Sequence, residues 1–274
     1  MPYANNGGVH IHYETDGDGP PVVLQHWSFA SLESWYDYGY VSALRDAHRL
    51  ILLDARGHGA SDKPHDPEAY ELSRRVADIV AVLDDLGVRR ADFFGYSLGG
   101  WIGFGVARYA PERFRSLIIG GQHPYAHDME GLRQLARLGI EQGPEAVVAL
   151  MEGEPRTLSA KTRERIYERM LAVDYEALLA AFQDRESLAA VLPKMSMPCL
   201  LYAGDRDEAY PLAKQCAEQM ANVTFVTLPG LDHNQVLMHS DEVLPHVKRF
   251  LAAVDQPTGA AQEVLRPPAE DIAH

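Results

Sequence analysis

The fold of this protein is decided by the stretch Ala91-Asp92-Phe93-Phe94-Gly95-Tyr96-Ser97-Leu98-Gly99-Gly100-Trp101. Its two phenylalanines predict a short buried strand, which is followed by a sharp turn at Ser97 and then by a helix that runs on through Val106. Glycines at positions 95 and 99 remove Cβ atoms that would clash with neighbouring backbone in so tight a turn. A serine held in this way is exposed at the head of a helix, as a serine nucleophile must be.

Attack by a serine hydroxyl on a carbonyl group creates an oxyanion, which needs N–H donors placed in advance. The backbone N–H of Leu98, at the head of the predicted helix, is the natural first donor. The pattern Gly-x-Ser-x-Gly is a weak signal when it stands alone, since an ordinary glycine-rich turn between a strand and a helix also fits it. The strand before it, the helix after it and the catalytic partners elsewhere in the chain therefore carry the argument.

Length and composition bound the classes of protein to consider. The chain has 274 residues, of which 46% are hydrophobic and 23% are charged, so it can form one large α/β domain or one domain with an insertion. Its formal net charge is −14. Nucleic acids and anionic membrane surfaces are polyanions that bind basic patches, so we expect neither as a partner, and a highly anionic substrate is disfavoured.

The cysteines and the N-terminal residues indicate the compartment. Cys199 and Cys216 stand in no metal-ligand spacing, and Cys199 lies in a strand-like run where a buried reduced thiol is expected. The first residues lack a basic region followed by an apolar run, and no window approaches the roughly eighteen apolar residues that span a bilayer. We therefore expect a cytoplasmic protein.

Strands alternate with helices along most of the chain, which predicts right-handed crossovers and a mainly parallel, twisted sheet with helices on both faces. Val9, Ile11 and Tyr13 alternate with His10, His12 and Glu14, so the two histidines are expected to face outward from a half-exposed strand. The further predicted strands are residues 22–24, 50–53, 93–94, 116–119, 199–203 and 224–228, and the predicted helices of this part are residues 34–45, 71–86, 211–220 and a closing helix with Ser240 as its N-cap.

The alternation stops between residues 124 and 192, where the pattern predicts helices alone. Apolar residues at helical spacing predict helices at 129–142, 145–151, 160–173 and 175–190. We interpret residues 124–192 as a helical cap over the active site, inserted into an α/β core of residues 1–123 and 193–255. Residues 256–274 are rich in proline, glycine and alanine and predict a disordered tail.

Ser97 needs a base, and the base needs a carboxylate that fixes its tautomer. His233 stands in the loop after the last predicted strand, from which it reaches over the carboxyl edge of the sheet. Asp205 and Asp207 both follow the preceding strand, and the residues by themselves leave the choice between them open. Other histidines have plainer roles: His58 is expected to brace its own loop, and His123 could line the pocket.

The order serine, aspartate, histidine resembles that of the α/β-hydrolase superfamily, in particular its cap-bearing esterase, lactonase and haloperoxidase-like branch. The resemblance covers nearly the whole chain outside the cap and the tail. It rests on four motifs, which are Gly95-Tyr96-Ser97-Leu98-Gly99-Gly100, Asp54-Ala55-Arg56-Gly57-His58-Gly59-Ala60-Ser61, Gly204-Asp205-Arg206-Asp207 and Gly230-Leu231-Asp232-His233. It implies that Asp207 is the acid, since in such proteins the acid stands three residues after the glycine that ends its strand.

The chain departs from the family in the loop after the strand at residues 22–24. Family members usually have His-Gly there, whereas this chain has His26-Trp27. The resemblance implies that the second oxyanion donor is the backbone N–H of Ser28, and tryptophan in place of glycine is expected to narrow the pocket or to reshape the oxyanion hole. The side chains expected to line the substrate pocket are those of Trp27, His26, Tyr96 and Trp101.

A serine at position 97 argues against the dehalogenase and epoxide-hydrolase branches, which the resemblance would give an aspartate there. The favoured function is hydrolysis of a small, largely apolar carboxylic ester or lactone through an acyl-enzyme, with no cofactor and no metal. Two alternatives stay open: a carbon–carbon bond hydrolase of a β-diketone, and a ligand-sensing protein of the same fold. The residues identify neither the ester nor the oligomeric state.

Overall fold

An eight-stranded sheet organises the computed structural model, which describes residues 2–151 and 160–256. The strands are β1 (Tyr3–Asn6), β2 (Val9–Asp16), β3 (Pro21–Gln25), β4 (Arg49–Leu53), β5 (Ala91–Tyr96), β6 (Phe114–Gly120), β7 (Cys199–Gly204) and β8 (Val223–Leu228). Their spatial order is β1-β2-β4-β3-β5-β6-β7-β8. Strand β2 pairs antiparallel with β1 and β4, and every other neighbouring pair is parallel. The predicted mainly parallel sheet is confirmed.

Helices cover both faces of this sheet. They are α1 (Glu33–Asp37), α2 (Tyr40–Leu44), α3 (Leu72–Asp85), α4 (Leu98–Tyr109), α5 (Glu130–Gln142), α6 (Pro144–Met151), α7 (Ala160–Leu171), α8 (Tyr175–Ala181), α9 (Tyr210–Ala217), α10 (His233–Met238) and α11 (Ser240–Asp255). Successive strand residues point to opposite faces. Phe93 accordingly packs in the core shared with α3 and α4, whereas Phe94 packs in the core shared with α1, α2 and α11.

The cap consists of helices α5 to α8, which lie between β6 and β7. It has a small apolar core of its own, joined by Phe29 from the loop after β3, whose ring lies 5.6 Å from that of Phe182. Arg165 and Arg169 of α7 both pair with the buried carboxylate of Asp37 in α1, which ties the cap to the sheet domain. The limits of the cap and core at residues 123–124 and 192–193 stay predictions, and the predicted tail lies outside the described residues after residue 256.

Three predicted helices differ from the observed ones. The single helix expected at residues 34–45 is two helices, because Gly39 between them has a φ of 81° that a helix does not accommodate. The helix expected to reach residue 190 ends at Ala181, after which Arg185 pairs with His127 in an isolated bridge. Helix α11 begins at Ser240 with His239 in the cap position, so the prediction of Ser240 as the N-cap was wrong.

His12 also departs from its prediction. The alternation in β2 suggested an outward-facing histidine, but only 4% of His12 is exposed. Strand β1 was not predicted, and it covers this position: Tyr3 of β1 pairs with His12, and their rings lie 5.3 Å apart. The Nδ1 of His12 lies 2.8 Å from Oδ2 of Asp54, so the imidazole is hydrogen-bonded to a carboxylate in the protein interior.

Candidate active site

Ser97 stands at the turn between β5 and α4 in a backbone conformation that few residues adopt. Its φ of 53° and ψ of −110° fall outside the regions that side chains other than glycine favour, which is the kind of strain that clusters at functional sites. The turn is held by a 2.9 Å hydrogen bond from the N–H of Ser97 to the carbonyl of Gly120 at the end of β6. The structure therefore holds this serine at the carboxyl edge of the sheet, as predicted.

Glycine at position 99 is required by a close approach of two backbones. A Cβ there would lie 2.1 Å from the carbonyl oxygen of Gln25, at the end of β3. The contact brings the first turn of α4 against the loop that carries Trp27 and Ser28. Both predicted oxyanion donors thus stand on segments that touch.

His233 and Asp207 complete a connected chain of side chains with Ser97. The Nε2 of His233 lies 3.0 Å from Oγ of Ser97, and its Nδ1 lies 2.7 Å from Oδ2 of Asp207. Because a carboxylate only accepts, Nδ1 carries the proton and Nε2 is the acceptor for the serine hydroxyl. The Asp207 side chain is 2% exposed, whereas 36% of the His233 side chain is open to solvent.

The structure distinguishes the two candidate carboxylates. Asp207 reaches the imidazole, and its second oxygen accepts a 2.9 Å hydrogen bond from the N–H of Ala209. Asp205 is exposed and accepts instead from the N–H of Gly230, at 2.7 Å. Of the two, only Asp207 contacts His233.

Helix α10 begins at His233 and orients this residue, although the sequence did not predict that helix. Asp232 is its N-cap, and its side chain accepts hydrogen bonds from the N–H groups of Asn234 and Gln235. The Gln235 side chain in turn accepts a hydrogen bond from the N–H of Asp232, which completes a capping box. Asp232, Asn234 and Gln235 together fix the backbone from which the imidazole projects.

Two of the residues predicted to line the substrate pocket are buried inside the protein. Tyr96 is fully buried, and its hydroxyl donates a 2.7 Å hydrogen bond to the carbonyl of His233. His26 is also fully buried: its Nδ1 donates to the carbonyl of Trp27 and its Nε2 accepts from the N–H of Ala55. Burial lowers the pKa of His26 and favours the neutral ring. Neither side chain is open to a substrate, which corrects the prediction for Tyr96 and His26.

The predicted oxyanion donors have no competing acceptor. Within the described residues, the backbone N–H groups of Leu98 and Ser28 make no hydrogen bond. The ring of Trp27, which replaces the usual glycine, is half-buried and stands edge-on to Trp35 at 5.5 Å and to Tyr96 at 6.4 Å. Trp27 is therefore braced by aromatic neighbours.

Trp101 is half-buried one turn after Ser97. Its backbone N–H donates a 2.9 Å hydrogen bond to the Ser97 carbonyl. The guanidinium carbon of Arg185 lies 4.5 Å from the Trp101 ring centroid. His123 stands at the same edge of the sheet, and burial lowers its pKa to about 4, with further lowering by His127 and Arg185. The sequence patterns gave no signal for Arg185, which fell inside the helix predicted at residues 175–190.

A separate cavity lies elsewhere in the protein. It has a volume of about 260 Å³ and is lined by Asp54, His58 and cap residues, but by none of Ser97, Asp207 and His233. The Nδ1 of His58 donates to the carbonyl of Arg56 in its own loop, as predicted. Burial lowers the pKa of His58 to about 3.

A metal-ligand cluster and a membrane-spanning helix are both absent from the described residues. In residues 2–151 and 160–256, no group of three or more histidine, cysteine, aspartate and glutamate side chains is placed to hold a metal ion. None of the helices in these ranges is both long enough and apolar enough to cross a bilayer. Cys199 and Cys216 are buried free thiols, and burial raises the pKa of each to about 12.

Comparison with known proteins agrees with this fold. A family model described as "alpha/beta hydrolase fold" matches residues 20–240. The chain belongs to the α/β-hydrolase family. An enol-lactonase from Burkholderia xenovorans has a similar solved structure, with a TM-score of 0.79, 26% identity and coverage of 92% of this hydrolase and 100% of that chain.

Two curated relatives show how far the similarity of this hydrolase extends. The 3-oxoadipate enol-lactonase 2 of Acinetobacter baylyi is 27% identical over 261 residues, which cover 88% of this chain and 94% of that protein. A cis-3-alkyl-4-alkyloxetan-2-one decarboxylase of Shewanella oneidensis is 39% identical over 123 residues, which cover 43% of this chain. The chain spans only 37% of that second relative.

Proposed function

We propose that this hydrolase cleaves a small, largely apolar carboxylic ester or lactone through an acyl-enzyme formed on Ser97. The observation that carries the proposal is the connected series Asp207, His233 and Ser97, with separations of 2.7 Å and 3.0 Å. A serine nucleophile, a base within hydrogen-bond reach and a carboxylate that orients the base are the parts that acyl transfer requires. The enol-lactonases of Acinetobacter baylyi and Burkholderia xenovorans support the lactone as a substrate class.

In the first half of the proposed reaction, Oγ of Ser97 attacks the carbonyl carbon and its proton passes to Nε2 of His233. The buried carboxylate of Asp207 stabilises the imidazolium that forms. The carbonyl π-electrons move to oxygen, where the N–H groups of Leu98 and Ser28 stabilise the negative charge. When the tetrahedral intermediate collapses, His233 returns the proton to the leaving oxygen and the acyl group stays on Ser97.

In the second half, a water molecule gives a proton to Nε2 of His233 and attacks the acyl carbon. Collapse of this second intermediate breaks the bond to Oγ of Ser97, which takes the proton back from His233. The product is the free carboxylic acid. The exposed part of the His233 ring provides the side from which water can approach.

Hydrolysis of p-nitrophenyl esters of increasing acyl length tests the proposal. We expect wild type to turn over short esters and Ser97→Ala to lose at least about a thousandfold in kcat/KM. Ser42→Ala, which removes an exposed hydroxyl on α2, is the matched control and should keep its activity. Equal rates for wild type and Ser97→Ala would contradict the proposal.

A further inference from the structure

Arg185 is a buried arginine whose charge has no partner in the described part of the chain. Only 7% of the residue is exposed. Its side chain makes no hydrogen bond and no ion pair among residues 2–151 and 160–256, and its contact there is the face of Trp101. Burying a guanidinium group without a carboxylate is costly, so a buried arginine of this kind is suited to bind an anion.

Other arginines of this protein form ion pairs with carboxylates. Arg56, equally buried, pairs with the carboxylate of Asp78 through two nitrogens. Arg133 and Arg137 in the cap pair with acidic side chains. The chain thus supplies carboxylates to these three arginines, whereas its described residues supply none to Arg185.

A second arginine increases the positive charge at this place. Arg75 of α3 donates to the carbonyls of Tyr70 and Ala181, but its Nη1 is buried and has no hydrogen-bond partner among the described residues. Its guanidinium carbon lies 6.0 Å from the centroid of the same Trp101 ring. Burial, and next the charge of Arg75, lower the pKa of Arg185 to about 9. Two arginines without a carboxylate partner among the described residues thus lie near one tryptophan ring, in a chain whose net charge is −14.

The backbone places Arg185 at the edge of the sheet that bears Ser97. Its N–H donates to the carbonyl of His127 at 2.9 Å and its carbonyl accepts from the N–H of His127 at 3.1 Å. His127 belongs to the segment that follows β6, whose last residue, Gly120, holds the turn of Ser97. The guanidinium lies on the ring of Trp101, whose backbone N–H donates a hydrogen bond to the carbonyl of Ser97.

We propose that Arg185 binds a carboxylate of the substrate, so that this hydrolase acts on an ester or lactone that carries one free carboxylate at the end away from the scissile bond. The inference rests on the proposed function and narrows its substrate class. A planar guanidinium binds a carboxylate through two parallel hydrogen bonds, and Trp101 holds that plane from one side.

Calorimetric titration measures this recognition without catalysis. The protein is the Ser97→Ala variant, and the ligands are monomethyl glutarate, which has one carboxylate, and dimethyl glutarate, its neutral counterpart. We expect the half-ester to bind about 10- to 100-fold more tightly, as a hydrogen-bonded charge pair would give. Adding Arg185→Met should remove that preference, and Arg185→Lys should restore part of it. Arg137→Met, which alters an exposed cap arginine with its own acidic partner, should leave it unchanged.

Thermal unfolding separates recognition from structural support. Arg185→Met removes an unpaired buried charge, so we expect a melting temperature equal to or above that of the parent protein. A large fall in melting temperature together with equal weakening of both ligands would show a structural role and overturn the proposal. Inorganic phosphate that binds as tightly as the half-ester, and only when Arg185 is present, would show a general anion site and also overturn it.

Rates of ester hydrolysis distinguish a failure of the carboxylate site from a failure of the proposed function. If wild type hydrolyses neutral and anionic p-nitrophenyl esters equally well, and Arg185→Met lowers kcat/KM for both alike, the carboxylate site is wrong while the esterase proposal stands. If neither ester is hydrolysed but binding of monomethyl glutarate still depends on Arg185, the proposed function fails and the anion site stands.

Discussion

The hydroxyl of Tyr96 donates a 2.7 Å hydrogen bond to the backbone carbonyl of His233, 137 residues further along the chain. Tyr96 immediately precedes Ser97, so one side chain joins the turn of the nucleophile to the loop of the base. The ring of Tyr96 also lies 5.2 Å from the imidazole of His233. This contact keeps Ser97 and His233 in a fixed relation.

Removing that hydroxyl should reduce catalysis more than binding. In Tyr96→Phe the carbonyl of His233 loses its donor, and we expect kcat to fall about five- to tenfold with KM nearly unchanged and a loss of about 1–2 kcal/mol in the free energy of unfolding. Tyr202→Phe is the matched control, because the buried hydroxyl of Tyr202 has no hydrogen-bond partner in the described part of the chain. Steady-state kinetics and urea unfolding check both variants, and equal kinetic effects of the two would contradict the role of Tyr96.

The two neighbouring carboxylates should differ sharply on substitution. Asp207→Asn places a neutral amide beside Nδ1 of His233, and this amide no longer stabilises the imidazolium that forms during the reaction. We therefore expect kcat to fall about a thousandfold or more. Asp205→Asn changes a side chain that contacts only the loop at Gly230, and we expect less than about a threefold change. Measuring ester hydrolysis by both variants at one pH tests which aspartate is the acid of the triad. A large loss of activity in Asp205→Asn alone would assign that role to Asp205.

Position 99 should tolerate no side chain. The Cβ of alanine would meet the carbonyl of Gln25 at 2.1 Å, so Gly99→Ala must displace either α4 or the loop after β3. We expect a loss of about 3 kcal/mol or more in the free energy of unfolding, with most of the activity lost. Gly131→Ala in α5 is the control: its Cβ meets nothing within 4 Å, and it should be neutral or add up to about 1 kcal/mol. Denaturant unfolding of both variants measures the difference.

Buried neutral histidines should make the protein sensitive to acid. The pKa of His58 is about 3 in the folded protein against an ordinary value of 6.5. Below pH 6.5 the unfolded chain therefore binds a proton at this site that the folded protein does not take up until about pH 3, so stability falls as the pH is lowered through that window. From pH 7.5 to pH 5 the loss from His58 should be about 2 kcal/mol. His26, whose pKa burial also lowers, adds a loss of the same sign.

The variant His58→Gln tests this sensitivity through its slope. Its free energy of unfolding should fall less between pH 7.5 and pH 5 than that of wild type, by about the same 2 kcal/mol, whatever its stability at pH 7.5. Urea unfolding at several pH values gives both slopes. Parallel slopes for the two proteins would show that His58 is protonated equally in the folded and unfolded states.

Much of the fold could be predicted because its signals are local. The apolar run of β5, the glycines around Ser97 and the helix that follows are neighbours in sequence, and together they predict a strand, a turn and a helix. His233 was predicted because loops after parallel strands meet at one edge of the sheet. Errors arose where a distant segment intervened, as when β1 covered His12.

The sequence by itself determined the parallel sheet, the helical stretch between β6 and β7, and the placement of Ser97 and His233 at the sheet edge with two candidate carboxylates, since hydrophobic periodicity and turn residues act over a few positions of the chain. Only the tertiary structure decided that Asp207 rather than Asp205 contacts His233, that Tyr96 and His26 turn inward to hold backbone, and that Arg185 is buried on Trp101 without a carboxylate. Such choices depend on the direction and distance of side chains from segments far apart in sequence, and a local pattern contains neither.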